Sequence, residues 1–231
     1  MNKDKIKIFV DGPEILEINE FINLDGFTFN PSIFKKLGAK DYLSFTKDIL
    51  AKTKNKPVSI EVFADDEENC LNQAKKIAKL SKNIYVKIPI IYTNGSSTKN
   101  LIKKLSDDGM LLNITAIFTL DQVKDISSSL GNNNHILSIF SGRLYDIGIN
   151  GFEIFKNITS FAHNHTKCET LWASCRMPYD LKLAQESGGD IITMSPSFIR
   201  KLKLFGKSPS EYSLETVKGF FNDAKKAEYK I

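Results

Sequence analysis

The sequence predicts a closed (β/α)8 barrel, and three observations support this fold class. Short runs rich in Val, Ile, Leu, Phe and Thr alternate with longer amphipathic runs, and eight such units follow one another. The 231 residues suit a barrel, which commonly needs roughly 200 to 250 residues. An open doubly wound sheet, the alternative, usually carries an early glycine-rich phosphate loop, and this sequence has none. We predict one barrel domain over residues 1–231, with residues 213–231 as an additional C-terminal helix.

Each predicted strand is bounded by polar or turn residues. In chain order the strands are 7–10, 26–29, 58–63, 84–88, 111–118, 136–140, 170–174 and 191–194. The segments between them have helical spacing, as in residues 69–78, where apolar residues recur three and four positions apart. Pro31, Pro178 and Pro196 are predicted to occupy first turns of helices.

The composition indicates an ordinary globular protein, with 42% hydrophobic and 26% charged residues. It excludes a disordered chain, a collagen-like fibre and a disulfide scaffold. No apolar run approaches the roughly 18 to 20 residues of a membrane span, and the N-terminus lacks the apolar core of a signal peptide. Three cysteines without a C-x-x-C motif fit a reducing cytoplasm. The net charge of +5 is too diffuse to indicate nucleic acid.

Polar side chains follow the predicted strands at their carboxyl ends, where barrels carry their functional groups. They are Asp11, Asn30, Glu61, Lys87, Thr115, Ser138, Arg143, Ser174, Arg176 and Ser195. Because loops are generally hydrophilic, a merely solvated rim is the alternative explanation.

Lys87 is the most informative of these residues because it lies within the β-branched run Tyr85-Val86-Lys87-Ile88-Pro89. Strand alternation directs its side chain towards the barrel axis. Desolvation there would lower the pKa of the amine, and a neutral amine forms Schiff bases with carbonyl substrates. The alternatives are a buried ion pair with Glu61 or Asp11, or a long side chain that reaches the rim.

Glu61 lies within the similarly buried run 59–63, and Asp11 follows the apolar run 8–10. Two carboxyls near one lysine suit the proton transfers of imine chemistry. Thr115 could hold a water molecule against Glu61, although threonine is also common in strands for its β-propensity. Arg143 and Arg176 follow the sixth and seventh strands and could clamp a phosphate with Ser174; exposed arginines are the alternative.

With these residues in place, the sequence resembles the transaldolase family, including its short microbial members and the related fructose-6-phosphate aldolases. The resemblance covers almost the whole chain. It rests on Phe9-Val10-Asp11, Gly26-Phe27-Thr28-Phe29-Asn30-Pro31-Ser32, Glu61-Val62, Val86-Lys87-Ile88-Pro89, Asn113-Ile114-Thr115, Ser138-Ile139-Phe140-Ser141-Gly142-Arg143 and Ala173-Ser174-Cys175-Arg176.

The resemblance implies the roles of individual residues. Lys87 would be the Schiff-base lysine, and Asp11 the acid/base that takes the C4 hydroxyl proton during C–C cleavage. Glu61 and Thr115 would position the catalytic water. Asn30 and Ser138 would hold the dihydroxyacetone portion, and Arg143, Ser174 and Arg176 would bind the sugar phosphate. Neither a metal nor an organic cofactor is implied.

Two positions bear on the reaction. Glu61 and Phe140 match transaldolase-like members, whereas the aldolase branch prefers Gln and Tyr there. A phenol near the enamine can help deliver a proton and release free dihydroxyacetone, so both residues favour transfer in pentose phosphate metabolism. A lyase that releases dihydroxyacetone, and a barrel that only binds sugar phosphates, are the alternatives.

Several residues depart from the family pattern, namely Gly12, Phe29, Ile139, Trp172 and Cys175. By alternation Phe29 should face the helix layer. Trp172 should share the face of Ser174, where its ring could narrow the acceptor pocket.

The C-terminal helix carries Phe220, Phe221 and Tyr229 among lysines. Packing on its own barrel is one interpretation; the family resemblance implies packing on a neighbouring subunit in a homo-oligomer. His163 and His165 have no third metal ligand in reach by sequence. No nucleic-acid or membrane partner is expected.

Overall fold

Eight parallel strands form a closed barrel in the computed structural model, which describes residues 6–230. Each strand pairs with the next along the chain, and the last pairs with the first. The strands are β1 (Lys7–Asp11), β2 (Gly26–Thr28), β3 (Val58–Glu61), β4 (Ile84–Pro89), β5 (Leu112–Ile117), β6 (Ile136–Ile139), β7 (Glu169–Trp172) and β8 (Ile191–Met194). The predicted fold class is confirmed.

Helices connect the strands around the outside of the barrel. They are α1 (Pro31–Lys36), α2 (Tyr42–Lys52), α3 (Glu67–Ala78), α4 (Lys99–Asp107), α5 (Leu120–Ile126), α6 (Ser141–Asp146), α7 (Gly151–His165), α8 (Asp180–Glu186), α9 (Pro196–Lys201) and α10 (Pro209–Lys226). Short 3-10 turns cover Ile15–Phe21, Ser127–Ser129 and Leu202–Leu204. Pro31 and Pro196 begin their helices as predicted, whereas Pro178 precedes α8 because that helix begins only at Asp180.

The core has two parts. The larger lies between the strands and the helices, and the smaller fills the barrel interior with Phe9, Ile136, Leu171, Ala173 and Ile191. Polar side chains of the interior, among them Ser59, Lys87 and Asn113, are also buried. This arrangement desolvates any charged group at the barrel mouth.

The strand register aligns several of the predicted site residues. Glu61 of β3 lies opposite Lys87 of β4, and Lys87 lies opposite Asn113 of β5. Asp11 of β1 lies opposite Thr28 of β2. After Thr115, β5 contains a bulge at Ala116, whose φ of 57° is in the left-handed region.

The expectation that Trp172 narrows the acceptor pocket is wrong. Its indole is fully buried in the strand–helix layer, with ring centroids 5.0 Å apart between Trp172 and Phe155 of α7. Leu171 and Ala173 face the barrel interior instead. The strand ends at Trp172 and Ser174 has a φ of 63°, so the period of two does not extend from one to the other.

The other departures have simple structural outcomes. Phe29 is buried and packs edge-to-face on Phe34 of α1, as expected for the helix layer. Ile139 is buried in the same layer. The Cys175 thiol donates to the carbonyl oxygen of Thr193, and burial raises its pKa.

Helix α10 begins with a capping box between Ser208 and Glu211 and has no buried residue. It therefore does not pack its apolar side chains on its own barrel, which was one of the two interpretations. Leu214, Val217 and Phe220 are each more than half exposed. None of the helices formed by residues 6–230 is long and apolar enough to cross a membrane.

Candidate active site

Lys87 and Glu61 form an ion pair inside the barrel mouth, with 3.0 Å between Lys87 Nζ and Glu61 Oε2. The side chain of Lys87 is 7% exposed and that of Glu61 is 18% exposed. Of the alternatives for Lys87, the geometry therefore shows a buried pair with Glu61, and the amine does not reach the solvent. The Tyr42 hydroxyl donates to the Glu61 backbone carbonyl at 2.6 Å and fixes the end of β3.

Asp11 faces the same space from the opposite wall. Thr28 Oγ1 donates to Asp11 Oδ1 at 2.7 Å and lies 2.6 Å from Thr193 Oγ1 of β8. Burial raises the pKa of the Asp11 carboxyl, while the charge of Lys87 and the Thr28 hydrogen bond lower it and the charge of Glu61 raises it. Two strands separate β1 from β4, so this coupling between Asp11 and Lys87 runs through the barrel interior. Carboxyls with raised pKa values are typical of groups that act as general acids or bases.

Ser138 belongs to a buried chain of hydrogen bonds below the ion pair. Ser138 Oγ donates to Asn113 Oδ1 at 2.6 Å, and Asn113 Nδ2 donates to Ser59 Oγ at 3.0 Å. This chain fixes the orientation of the Asn113 amide and leaves the lone pairs of the Ser138 hydroxyl free to accept.

Thr115 is also buried, and its hydroxyl has no hydrogen-bond partner within the part of the chain that the structure describes. Buried hydroxyls are normally satisfied, so this hydroxyl is available to a ligand or a water molecule. Asn30 caps α1: its Oδ1 accepts from the Ile33 N–H at 2.9 Å, and its amide nitrogen takes no part in that cap.

Arg143 and Arg176 are exposed at the rim, on the segments that follow β6 and β7, and the charges of both act on Asp146. Arg176 Nε donates to Asp146 Oδ1 at 2.9 Å, and Arg176 Nη2 donates to Asp146 Oδ2. Both arginines lower the pKa of Asp146, Arg176 more strongly through its hydrogen bonds. The two segments meet at Gly142, where a Cβ atom would lie 1.7 Å from the carbonyl oxygen of Ser174.

Phe140 links the rim to the barrel interior. Its ring packs on the interior cluster and lies 5.7 Å from the ring of Phe118. The guanidinium carbon of Arg143 lies 5.0 Å from the Phe140 ring centroid, within the range of a cation–π contact. By contrast, Arg200 pairs with Glu17 and Glu20, outside the predicted set.

Four polar residues of the site, namely Thr28, Ser59, Asn113 and Thr193, were given no role from the sequence. Ser59 lies two residues before Glu61, and Asn113 lies two residues before Thr115. Thr193 lies within the predicted strand 191–194. Strand alternation could have nominated them as inward-facing. Asp146 and Asp180, which contact Arg176, were also given no role from the sequence.

Within residues 6–230, no three His, Cys, Asp or Glu side chains are placed to hold a metal ion together. Fold and site therefore define a (β/α)8 barrel with a buried lysine–carboxylate centre at its carboxyl-terminal mouth and two arginines on its rim.

Comparisons with known proteins agree with this class. A family model described as Transaldolase/Fructose-6-phosphate aldolase matches residues 8–231. A probable transaldolase of Ruegeria pomeroyi is 33% identical over 201 residues, which cover 85% of this chain and 88% of that protein. A probable transaldolase of Brucella anthropi is 36% identical over 201 residues, with the same coverage of 85% and 88%. The chain belongs to the transaldolase/fructose-6-phosphate aldolase family, as its motifs predicted.

Solved structures of low sequence identity share the fold. Thiamine phosphate pyrophosphorylase from Pyrococcus furiosus superposes with a TM-score of 0.56 at 12% identity, covering 84% of this chain and 87% of that one. At this identity the similarity concerns the barrel alone.

Proposed function

We propose that this protein is a transaldolase-type transferase, which moves a dihydroxyacetone unit from a ketose phosphate to an aldose phosphate through an imine on Lys87. The observation that carries the proposal is the burial of the Lys87 amine in the barrel mouth, 3.0 Å from Glu61 Oε2, a carboxylate able to take its proton, while the charge of Lys87 also acts on the Asp11 carboxyl. Family membership supports an enzyme of the transaldolase or aldolase type.

Imine formation begins when the ketose displaces Glu61 from Lys87. The ammonium gives a proton to Glu61, and the neutral amine attacks the substrate carbonyl to form a carbinolamine. Loss of water from the carbinolamine yields the imine, with Glu61 returning the proton to the departing hydroxyl. The unpartnered Thr115 hydroxyl supports a role in holding that water.

Cleavage then requires a base at the C4 hydroxyl. Asp11 takes that proton, the C3–C4 bond breaks, and its electron pair moves into the iminium to form an enamine. The aldose phosphate leaves. The raised pKa of Asp11 supports this role, because the same carboxyl must return the proton when the enamine attacks the acceptor aldehyde.

Phe140 favours transfer over release. Its ring has no hydroxyl to protonate the enamine, so the three-carbon unit waits on Lys87 for an acceptor. Replacement of Phe140 by Tyr should raise the release of free dihydroxyacetone in the absence of an acceptor, measured by coupled reduction with a dehydrogenase. An unchanged rate of release in Phe140→Tyr would contradict the assignment.

The phosphate of the sugar binds at the rim between Arg143, Ser174 and Arg176. The charges of Arg143 and Arg176 both act on Asp146, so the two guanidinium groups lie in one region of the rim, and guanidinium donors suit a phosphate. Asn30 and Ser138 hold the hydroxyls of the dihydroxyacetone portion.

Borohydride trapping tests the imine. Incubation with fructose 6-phosphate followed by reduction should add a three-carbon unit to Lys87, located by mass spectrometry of peptides. Lys87→Ala should show no adduct and no turnover. The matched control is Lys103→Ala, because the Lys103 side chain is 60% exposed on α4 and should leave the adduct intact.

Erythrose 4-phosphate separates the remaining possibilities. If the protein is a transferase, adding this acceptor should discharge the trapped unit into a new ketose phosphate. Release of dihydroxyacetone at the same rate without an acceptor would indicate a lyase. Absence of any adduct in a folded wild-type protein would indicate a barrel that only binds sugar phosphates.

We also propose that the protein forms a homo-oligomer through α10. The helix exposes a face with Leu214, Val217 and Phe220, and it carries lysines. A cleft of about 450 Å³ between the loops after β3 and β4 is lined by Phe63, Ile91 and other apolar residues. Asp65 also lines that cleft, and α10 carries Lys225 and Lys226 in its last turn.

The occupant proposed for the cleft is α10 of a second copy. Light scattering after gel filtration should show an assembly for the full chain and smaller species for Phe220→Asp and for Phe63→Asp. A monomeric wild-type protein, or an assembly that neither substitution changes, would overturn this proposal.

A further inference from the structure

Arg176 is held by two carboxylates of the chain itself, on its backbone and on its side chain. Asp180 Oδ2 accepts from the Arg176 N–H at 2.6 Å and from the Met177 N–H at 3.0 Å. Asp146 accepts from Arg176 Nε and Nη2, as described above. Both contacts act on one residue of the proposed phosphate site.

The Asp180 contact is costly to maintain. Asp180 is fully buried, and its Oδ1 atom has no hydrogen-bond partner among residues 6–230. Burial raises the pKa of this carboxyl, and the Met177 and Arg176 N–H groups only partly offset the loss of hydration. A loop with no positional requirement could use water to satisfy the same N–H groups. The buried carboxylate instead fixes the backbone that leads from Ser174, at a φ of 63°, to Arg176.

The Asp146 contact fixes the guanidinium. Two parallel hydrogen bonds to the Nε and Nη2 edge define the plane of the group as well as its position. Guanidinium has five N–H donors, so the Nη1 and Nη2 edge keeps its fork for another anion. The charge of Arg143, which is stacked on Phe140, also acts on Asp146.

We propose that Asp146 and Asp180 are positioning residues for phosphate recognition, with Asp180 fixing the backbone of Arg176 and Asp146 orienting its guanidinium. This inference rests on the proposed function, since it assigns the Arg176 fork to the phosphate of the sugar. It makes Asp146 a partner of phosphate binding rather than a competitor for the same donors.

The test compares Asp146→Asn with wild type in steady-state kinetics and in direct binding. KM for fructose 6-phosphate should rise about twofold to fivefold, the size expected when an exposed ion pair that orients the guanidinium is lost, while kcat stays within about twofold. The affinity for inorganic phosphate, measured by isothermal titration calorimetry, should fall by a similar factor. Asp146→Glu should restore part of both losses.

Substitutions at Glu20 and Asp180 serve as controls for this interpretation. Glu20→Gln weakens a similar exposed pair with Arg200 and should change neither KM nor phosphate affinity. Asp180→Ala should raise KM like Asp146→Asn, and Asp180→Asn should recover part of the loss because its carbonyl can still accept from both N–H groups. If Asp180→Ala does not fold, Asp146→Asn decides alone.

Three results would overturn the inference. Tighter phosphate binding in Asp146→Asn would mean that the carboxylate competes with phosphate, and unchanged binding would mean that it is a surface pair. A fall in kcat and melting temperature without a change in KM would mean a structural role. Failure of the proposed function is distinguishable, because phosphate binding is measured without turnover and the Lys87 adduct is scored separately.

Discussion

Substitution of Lys87 and Glu61, singly and together, should measure the coupling free energy of the ion pair at the centre of the site. Since the side chains are 7% and 18% exposed, removing one partner leaves a charge with little hydration. Breaking a buried pair typically lowers the free energy of unfolding by about 3–5 kcal/mol. Because Glu61 is partly hydrated, we expect Lys87→Met and Glu61→Gln to lower it by about 2–3 kcal/mol each. The double variant leaves neither charge, so its cost should be below the sum by about 2 kcal/mol.

Urea unfolding followed by circular dichroism measures the four proteins of this cycle. The matched control is the exposed pair Lys103 and Asp107 on α4, whose coupling should be only about 0.3–0.5 kcal/mol. A coupling between Lys87 and Glu61 as small as that of the control would refute the ion pair as the resting state. A coupling near 2 kcal/mol corresponds to a factor of about thirty in an equilibrium constant, which the binding free energy of a sugar phosphate can offset.

Three other predictions concern single residues. Asp11→Asn should lower kcat by about 10²–10⁴-fold, because it removes the proposed base. It should nevertheless raise the melting temperature at pH 7, because burial raises the pKa of Asp11 and the contribution of the neutral carboxyl to stability is lost as pH rises through that pKa. A lower melting temperature would contradict this. Burial lowers the pKa of His135 to about 4 from 6.5, so the free energy of unfolding should fall by up to about 3 kcal/mol as pH falls from 6.5 to 4. Urea titrations across this range should show that slope in wild type and not in His135→Gln. Trp172→Ala should destabilise the fold by about 3–5 kcal/mol while the folded fraction keeps its KM, since the ring packs on Phe155. A changed KM in the folded fraction would indicate that Trp172 contributes to the acceptor pocket after all.

Much of the fold and part of the site were predictable, because strand alternation is a local property. The run around Lys87 placed its side chain inwards, and the structure buries that side chain against Glu61. The same rule placed Phe29 in the helix layer. It failed for Trp172, because β7 ends there and Ser174 has a left-handed φ that interrupts the alternation.

The partners of the rim arginines were not predictable from local pattern. Asp146 is 30 residues from Arg176 in the chain and meets it only because Gly142 lets α6 approach the end of β7. Asp180 is four residues from Arg176, yet its contact requires the turn that precedes α8. Neither position carries a pattern that separates it from a solvated carboxylate.

By itself the sequence determined the eight strand–helix units, the inward direction of Lys87, the position of Glu61 and Asp11 at the carboxyl ends of apolar strands, and the motifs of the family. These follow from periodicity and side-chain chemistry within a few residues of chain. Only the tertiary structure decided that Lys87 pairs with Glu61 while coupling to Asp11 across the interior, and that Arg176 is bound by two carboxylates. The physical reason is that barrel closure sets the register between strands, and register determines which charges meet in a space without water.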